Sequence, residues 1–181
     1  MKWLIASDIH GSAYYCEKLL KSYRKENANR LLLLGDILYH GPRNDLPKEY
    51  YPKAVITMLN EMKEDILCVR GNCDSEVDQM VLDFSIMADY AVLCEENRMI
   101  FATHGHTFHT ENLPSMHKGD ILLHGHTHVP ACEKHNAYIY MNPGSVSLPK
   151  KGSHHGYMTL ENGSFLWRDF DGGVHAQYTL K

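Results

Sequence analysis

Five short loops in this chain carry the side chains best suited to chemistry: Asp8-x-His10, Gly35-Asp36, Gly71-Asn72-Cys73-Asp74, Thr103-His104-Gly105-His106 and Gly125-His126-Thr127-His128. From them Asp8, His10, Asp36, Asn72, His104, His126 and His128 form a set of carboxylate, amide and imidazole donors without thiolate. Such a set suits Mn, Fe, Zn, Ni or Mg, and affinity order alone does not choose among these metals. Seven donors are too many for one catalytic ion that keeps an open position, and about right for two ions sharing a carboxylate. Histidine usage points the same way. Thirteen occur, and His104, His106, His124, His126 and His128 crowd into 25 positions, which matters because imidazole is the commonest metal ligand.

The elements that must position these loops are legible as apolar runs. Trp3 to Ala6, Leu31 to Leu34 and Ile66 to Val69 read as strands, and each is followed by a polar group: Asp8, Asp36 or Asn72. Continuous apolar runs indicate strands buried on both faces, and helical crossovers make such neighbours parallel. Cys16, Leu19, Leu20 and Tyr23 fall on one face of a helix with Ser12 as its N-cap. Val55, Met58, Leu59 and Met62 repeat that stripe after Pro52, a residue suited to a first turn. Ligands of open α/β sheets bind beyond the carboxyl ends of the strands. From about residue 90 strands dominate: Tyr90 to Cys94, Met99 to Thr103, Asp120 to Leu123, Ala137 to Met141, Tyr157 to Leu160 and Phe165 to Phe170. Glu161-Asn162-Gly163 and Asp171-Gly172-Gly173 supply turns. No linker or repeat interrupts the chain, so residues 1–181 are expected to form a single α/β domain of two packed sheets with outer helices.

Composition narrows the classes. A formal net charge of −4 argues against binding extended nucleic acid, which needs a basic surface. No run approaches the roughly 18 apolar residues of a membrane helix, and the N-terminal apolar run is too short for a signal peptide. The five cysteines form no C-x-x-C pair, so reduced thiols in the cytoplasm are expected rather than a disulfide framework or thiolate zinc site. Oligomeric state is not legible, and a homo-oligomer is compatible with the sequence.

Taken in order, Asp8-x-His10, Gly35-Asp36, Gly71-Asn72, His104-Gly105 and Gly125-His126-x-His128 resemble the signature of the calcineurin-like metallophosphoesterases. His40-Gly41-Pro42-Arg43-Asn44, Arg70-Gly71-Asn72-Cys73-Asp74 and Asn142-Pro143-Gly144-Ser145-Val146 are similar to the YfcE-type bacterial phosphodiesterase branch, over nearly the whole chain. The resemblance implies a four-layer α/β/β/α sandwich, two packed mixed sheets flanked by helices. It also implies two divalent ions, Mn first among them, with Asp8, His10 and His128 on one, Asn72, His104 and His126 on the other, and Asp36 bridging. The implied reaction is hydrolysis of small-molecule or nucleotide phosphodiesters by in-line attack of a metal-bridging hydroxide. A shared carboxylate and a bridging hydroxide would offset the repulsion between neighbouring cations, and metal coordination makes hydroxide available near neutral pH.

One departure leaves a step open. Most of the wider family has a histidine after the Gly-Asn pair to protonate the leaving group, whereas this chain has Cys73, as the YfcE-like branch does. Cys73, His106 and metal-bound water are the candidate donors. A thiol donates less readily than imidazolium, which costs least when the leaving group is already acidic. Arg43, Asn44 and Arg70 are candidate phosphate contacts because guanidinium presents a planar fork of donors, with surface ion pairs the alternative for both arginines. Asp74 either orients a neighbouring group or caps a helix starting near Ser75. The remaining histidines read as loop or strand residues, His124 among them. Competing functions on the same core are a phosphomonoesterase, a nuclease and a non-catalytic metal-binding scaffold.

Overall fold

Apolar runs in the first half become strands because both of their faces are covered. In the computed structural model, which describes residues 1–180, β1 (Trp3–Ala6), β2 (Arg30–Leu33) and β3 (Ile66–Cys68) run parallel. Leu4, Leu31, Leu33 and Cys68 pack with the helices, while Ile5, Leu32, Leu34 and Val69 pack against the second sheet. Helix α1 (Ala13–Lys25) starts where Ser12 Oγ accepts a hydrogen bond from the Tyr15 N–H at 3.2 Å, and it buries Cys16, Leu19 and Leu20. Helix α2 (Pro52–Asn60) opens on its proline and buries Val55 and Leu59. The short α3 (Glu76–Gln79) begins in a capping box formed by Ser75 and Asp78.

The second half supplies β4 (Tyr90–Glu95), β5 (Arg98–Thr103), β6 (Asp120–Leu123), β7 (Ala131–Lys134), β8 (Tyr138–Asn142), β9 (Gly156–Glu161), β10 (Ser164–Asp169) and β11 (Val174–Thr179). One sheet has the order β11-β10-β9-β1-β2-β3 and the other β4-β5-β6-β8-β7. Both are mixed: β1–β3 and β5, β6 and β8 are parallel sets with antiparallel flanks. Between them lies the main core, with Ile100, Ile121, Leu123 and Met141 of the second sheet meeting Met158, Phe165 and Trp167 of the first. Two mixed sheets with flanking helices agree with expectation. The outer cover of the second sheet differs in kind, because Phe101, Leu122, Tyr138 and Tyr140 are covered by Phe108 and Met116 from a loop over 104–119 rather than by a helix.

Strands β7 and β11 were not expected from the sequence. Both are edge strands, and their side chains are mostly exposed, so neither shows the apolar alternation that marks a half-buried strand. Among the described residues no helix is long and apolar enough to cross a membrane. The parallel strands matter most for function. The carboxyl ends of β1, β2, β3, β5 and β6 each open directly into one of the donor-bearing loops.

The inter-sheet core makes a measurable demand. Leu32→Ala, at a fully buried position between the sheets, is expected to lose about 2–5 kcal/mol in a denaturant melt. Val174→Ala on the exposed edge should stay within about 0.5 kcal/mol of the parent. Equal losses at both positions would contradict this layering.

Candidate metal centre

Each carboxylate at the strand ends has one oxygen anchored and one presented. Asp8 Oδ2 accepts the His126 N–H at 3.1 Å, and Asp8 Oδ1 is buried without a hydrogen-bond partner. That free oxygen lies 3.2 Å from His128 Nε2 and 3.6 Å from His10 Nε2. Asp36 Oδ1 accepts the Cys73 N–H at 2.8 Å. Its Oδ2 lies 3.6 Å from His10 Nε2 and 3.5 Å from His104 Nε2, between two groups of donors.

Three of the imidazoles follow the same rule. The Nδ1–H groups of His10, His104 and His128 donate to the carbonyls of Tyr39, Leu34 and Leu148 at 2.7, 2.6 and 2.6 Å. This fixes the tautomer and turns each Nε2 lone pair inward. His10 Nε2 and His128 Nε2 then stand 3.3 Å apart, lone pair toward lone pair. His104 Nε2 lies 3.1 Å from both Asn72 Oδ1 and His126 Nδ1. Acceptors packed this closely in a buried site repel unless a proton or a cation lies among them. The orphaned Asp8 oxygen and the inward lone pairs fit divalent cations, and Asp8, His10 and His128 offer ligand atoms within 4.8 Å of one another.

Electrostatics agree with the geometry. Burial alone would raise the Asp8 carboxyl, but the close approach of the His10, His128 and His104 rings holds it well below the usual range. Burial would lower His10, yet Asp8, Tyr39 and Asp36 raise it above 6.5. His126 is pushed down to about 4 by burial and by His104, so it is neutral at pH 7. Burial and the neighbouring Asp36 push the Cys73 thiol up to about 12.

The local backbone is bent to make this convergence. Asp8, His10, Asp36, His126 and His128 all have φ between 49° and 63°, the left-handed region that costs ordinary L-residues about 1–2 kcal/mol. Two glycines permit the approach of loops. A methyl group on Gly71 would collide with Asp36 Oδ1, and one on Gly125 with Ser7 Oγ and Asp8.

Over residues 1–164 the chain matches the calcineurin-like phosphoesterase superfamily domain. It belongs to that superfamily. The sequence is 48% identical over 162 residues to phosphodiesterase YfcE of Escherichia coli K12, covering 90% of this chain and 88% of that protein. The probable metallophosphoesterase YsnB of Bacillus subtilis is 26% identical over 184 residues, covering 94% and 91%. The solved structure of the E. coli phosphoesterase YfcE superposes with a TM-score of 0.96 at 44% identity and full coverage of both chains.

The seven donors named from the sequence lie together. Asn72 is the exposed member, while Asp8, His10, Asp36, His104 and His128 are buried. Arg43, Asn44 and Cys73 line a cleft of about 430 Å³ that opens on Asp36, Asn72, His126 and His128. Arg70 does not line that cleft; its guanidinium donates to the Asp74 carbonyl at 3.3 Å and lies 3.8 Å from Glu76. His106 lines a neighbouring depression with His124 and Glu133, which shares His126 and Thr127 with the cleft. Its ring centre is 5.4 Å from that of His104.

Sequence reasoning left Asp74 undecided and gave no role to Asn142. Asp74, buried, accepts the N–H groups of Asp36, Ile37 and Gly71 at 2.8, 2.9 and 2.7 Å. It therefore ties two donor loops together, and Ser75 caps the following helix. Asn142 Nδ2 donates to the Gly125 carbonyl and Thr127 Oγ1 at 2.8 and 3.0 Å, bracing the His126–His128 loop. Ser145 Oγ and Ser147 Oγ donate to the Asp8 carbonyl at 2.8 and 3.2 Å. The Asn142-Pro143-Gly144-Ser145 run was visible in sequence; its contacts were not.

Two outcomes follow. Asp74→Ala leaves three buried N–H groups unpaired, and manganese affinity measured calorimetrically should fall by about 10–100-fold; parental affinity would contradict the clamp. The second concerns pH. Because the His10 pKa is raised, its proton competes with a cation above 6.5, while Asp8 remains ionised. Affinity should therefore tighten as pH rises between about 6 and 8, with proton release on binding. Affinity constant over that range would contradict it.

Proposed function

We propose that this chain is a cytoplasmic phosphodiesterase that uses two divalent ions, manganese first among them, to hydrolyse phosphodiesters of small molecules or nucleotides. The observation that carries this reading is the position of Asp36 Oδ2, 3.6 Å from His10 and 3.5 Å from His104, where one oxygen can serve two ions. Similarity to the E. coli phosphodiesterase YfcE over most of both chains supports the diester preference. Five cysteines without a disulfide among the described residues agree with a reducing compartment.

Asp8, His10 and His128 would hold one ion, and Asn72, His104 and His126 the other. A bound pair supplies Lewis acidity toward phosphoryl oxygens and a nucleophile at neutral pH. Asn72 contributes a neutral carbonyl oxygen, so it binds without cancelling charge. Arg43, on the cleft wall, orients a non-bridging phosphate oxygen through its planar fork. Cys73 lines the same cleft, and a thiol donates a proton less readily than imidazolium. His106 lines a neighbouring depression that shares His126 and Thr127 with the cleft. The site thus suits leaving groups that depart without a strong proton donor, such as phenols and phosphates.

The deciding assay strips the metal, restores Mn, Mg, Zn or Ni separately, and compares bis(p-nitrophenyl) phosphate with p-nitrophenyl phosphate. Metal-dependent hydrolysis should favour the diester, and a preference for the monoester would remove the diesterase assignment. Asp36→Asn should lower kcat by at least about a hundredfold while the melting curve stays close to the parent. Full activity in that variant would show that Asp36 is not shared.

A further inference from the structure

The cleft that opens on the proposed metal centre contains a second cation with no role in holding metal. Lys150 lines it together with Arg43, and Asp36, already committed to the centre, is the cleft's carboxylate. Elsewhere among the described residues several cations are paired, Lys2 with Glu26, Lys21 with Glu17, Arg30 with Asp65, Lys63 with Asp83 and Arg70 with Glu76, whereas others, such as Lys53 and Lys118, are not. Among the described residues neither Arg43 nor Lys150 has such a partner.

Both cations also stand on turns fixed to the centre. The Lys150 N–H donates to the His128 carbonyl at 3.1 Å, and the Ser153 N–H closes the turn onto the Lys150 carbonyl at 3.1 Å. Ser153 Oγ donates to the same carbonyl at 2.7 Å. On the opposite side the Asn44 N–H closes onto the Gly41 carbonyl, and Gly41 is packed so closely on Cys73 that an added Cβ would lie 3.2 Å from its sulfur. The roots of both side chains are thereby held relative to His128 and Cys73, while their charged heads remain free.

Charge then specifies the ligand. The donor set contains two carboxylates, Asp8 and Asp36, so a pair of divalent ions leaves the centre cationic. Arg43 and Lys150 add two further positive charges facing the same space. A plain phosphodiester brings one negative charge, which leaves the outer cation unmatched. We propose that Lys150 is a specificity-determining residue that binds a second anionic group, a phosphate carried on one arm of the diester. This rests on the phosphodiesterase reading and narrows its substrate class to diesters bearing an additional phosphate. The cleft volume of about 430 Å³ is of the size that holds a small ligand.

The test uses the metal-loaded full chain and two probes, the p-nitrophenyl ester of thymidine 5′-phosphate and the same ester carrying a 3′-phosphate. The parent should show kcat/KM about tenfold higher for the 3′-phosphorylated probe, the size of one charge-assisted contact, carried mainly in KM. Lys150→Met should bring the ratio of the two values close to one, and Lys150→Arg should keep most of the preference. A binding readout accompanies it: thymidine 3′,5′-bisphosphate should raise the parent melting temperature more than thymidine 5′-phosphate, and Lys150→Met should erase that difference. Because Lys150 is exposed, these variants are expected to fold. A parental ratio near one, or a ratio unchanged in Lys150→Met, overturns the proposal and leaves the diesterase reading intact. Failure of the parent to hydrolyse either probe with any metal overturns both.

Discussion

Two imidazole nitrogens 3.3 Å apart, with a carboxylate oxygen beside them that has no hydrogen-bond partner, form an arrangement that metal-free protein does not favour. Lone pairs gathered in a dry site repel, and a buried acceptor left unsatisfied costs about 1–3 kcal/mol. The rest of the site enforces this arrangement rather than relieving it. Backbone carbonyls lock the far nitrogens of His10, His104 and His128. Backbone N–H groups lock the far oxygens of Asp8 and Asp36. Every anchor removes a rotation by which the near atom could escape, so the inward atoms are offered to a cation.

Holding those loops requires the whole two-sheet architecture. Asp8 and Asp36 follow adjacent parallel strands of one sheet, whereas His104 and His126 follow adjacent parallel strands of the other. The core between the sheets sets the distance across which these groups meet. Asp74 ties the Asp36 and Gly71 loops, and the Asn142–Ser147 segment reaches from the second sheet to Asp8. Left-handed conformations at five donors show that local preference is overruled at the centre. Such strain persists where surrounding structure over-determines it.

The seven donors were legible because strand ends are easy to recognise in parallel sheets: an apolar run stops, and a polar residue follows. The helices were legible for a similar reason, since Ser12 and Pro52 mark their starts and a single apolar stripe faces the sheet. What escaped depends on partners distant in the chain or on burial that is absent. Strands β7 and β11 are exposed edges whose hydrogen bonding leaves no apolar pattern. The role of Asp74 depends on N–H groups 37 and 38 residues away. Arg70 looked like a phosphate contact beside Gly71, but its guanidinium turns toward Asp74 and Glu76. Lys150, outside every segment singled out in the sequence, reaches the cleft through a turn bound to His128.

Anomalous diffraction from crystals soaked in manganese addresses the shared carboxylate most directly. Two peaks roughly 3.5–4 Å apart are expected, one against Asp8, His10 and His128 and the other against Asn72, His104 and His126, with Asp36 Oδ2 between them. A single peak, or peaks that leave Asp36 outside the coordination of both ions, would contradict a paired centre built on that oxygen.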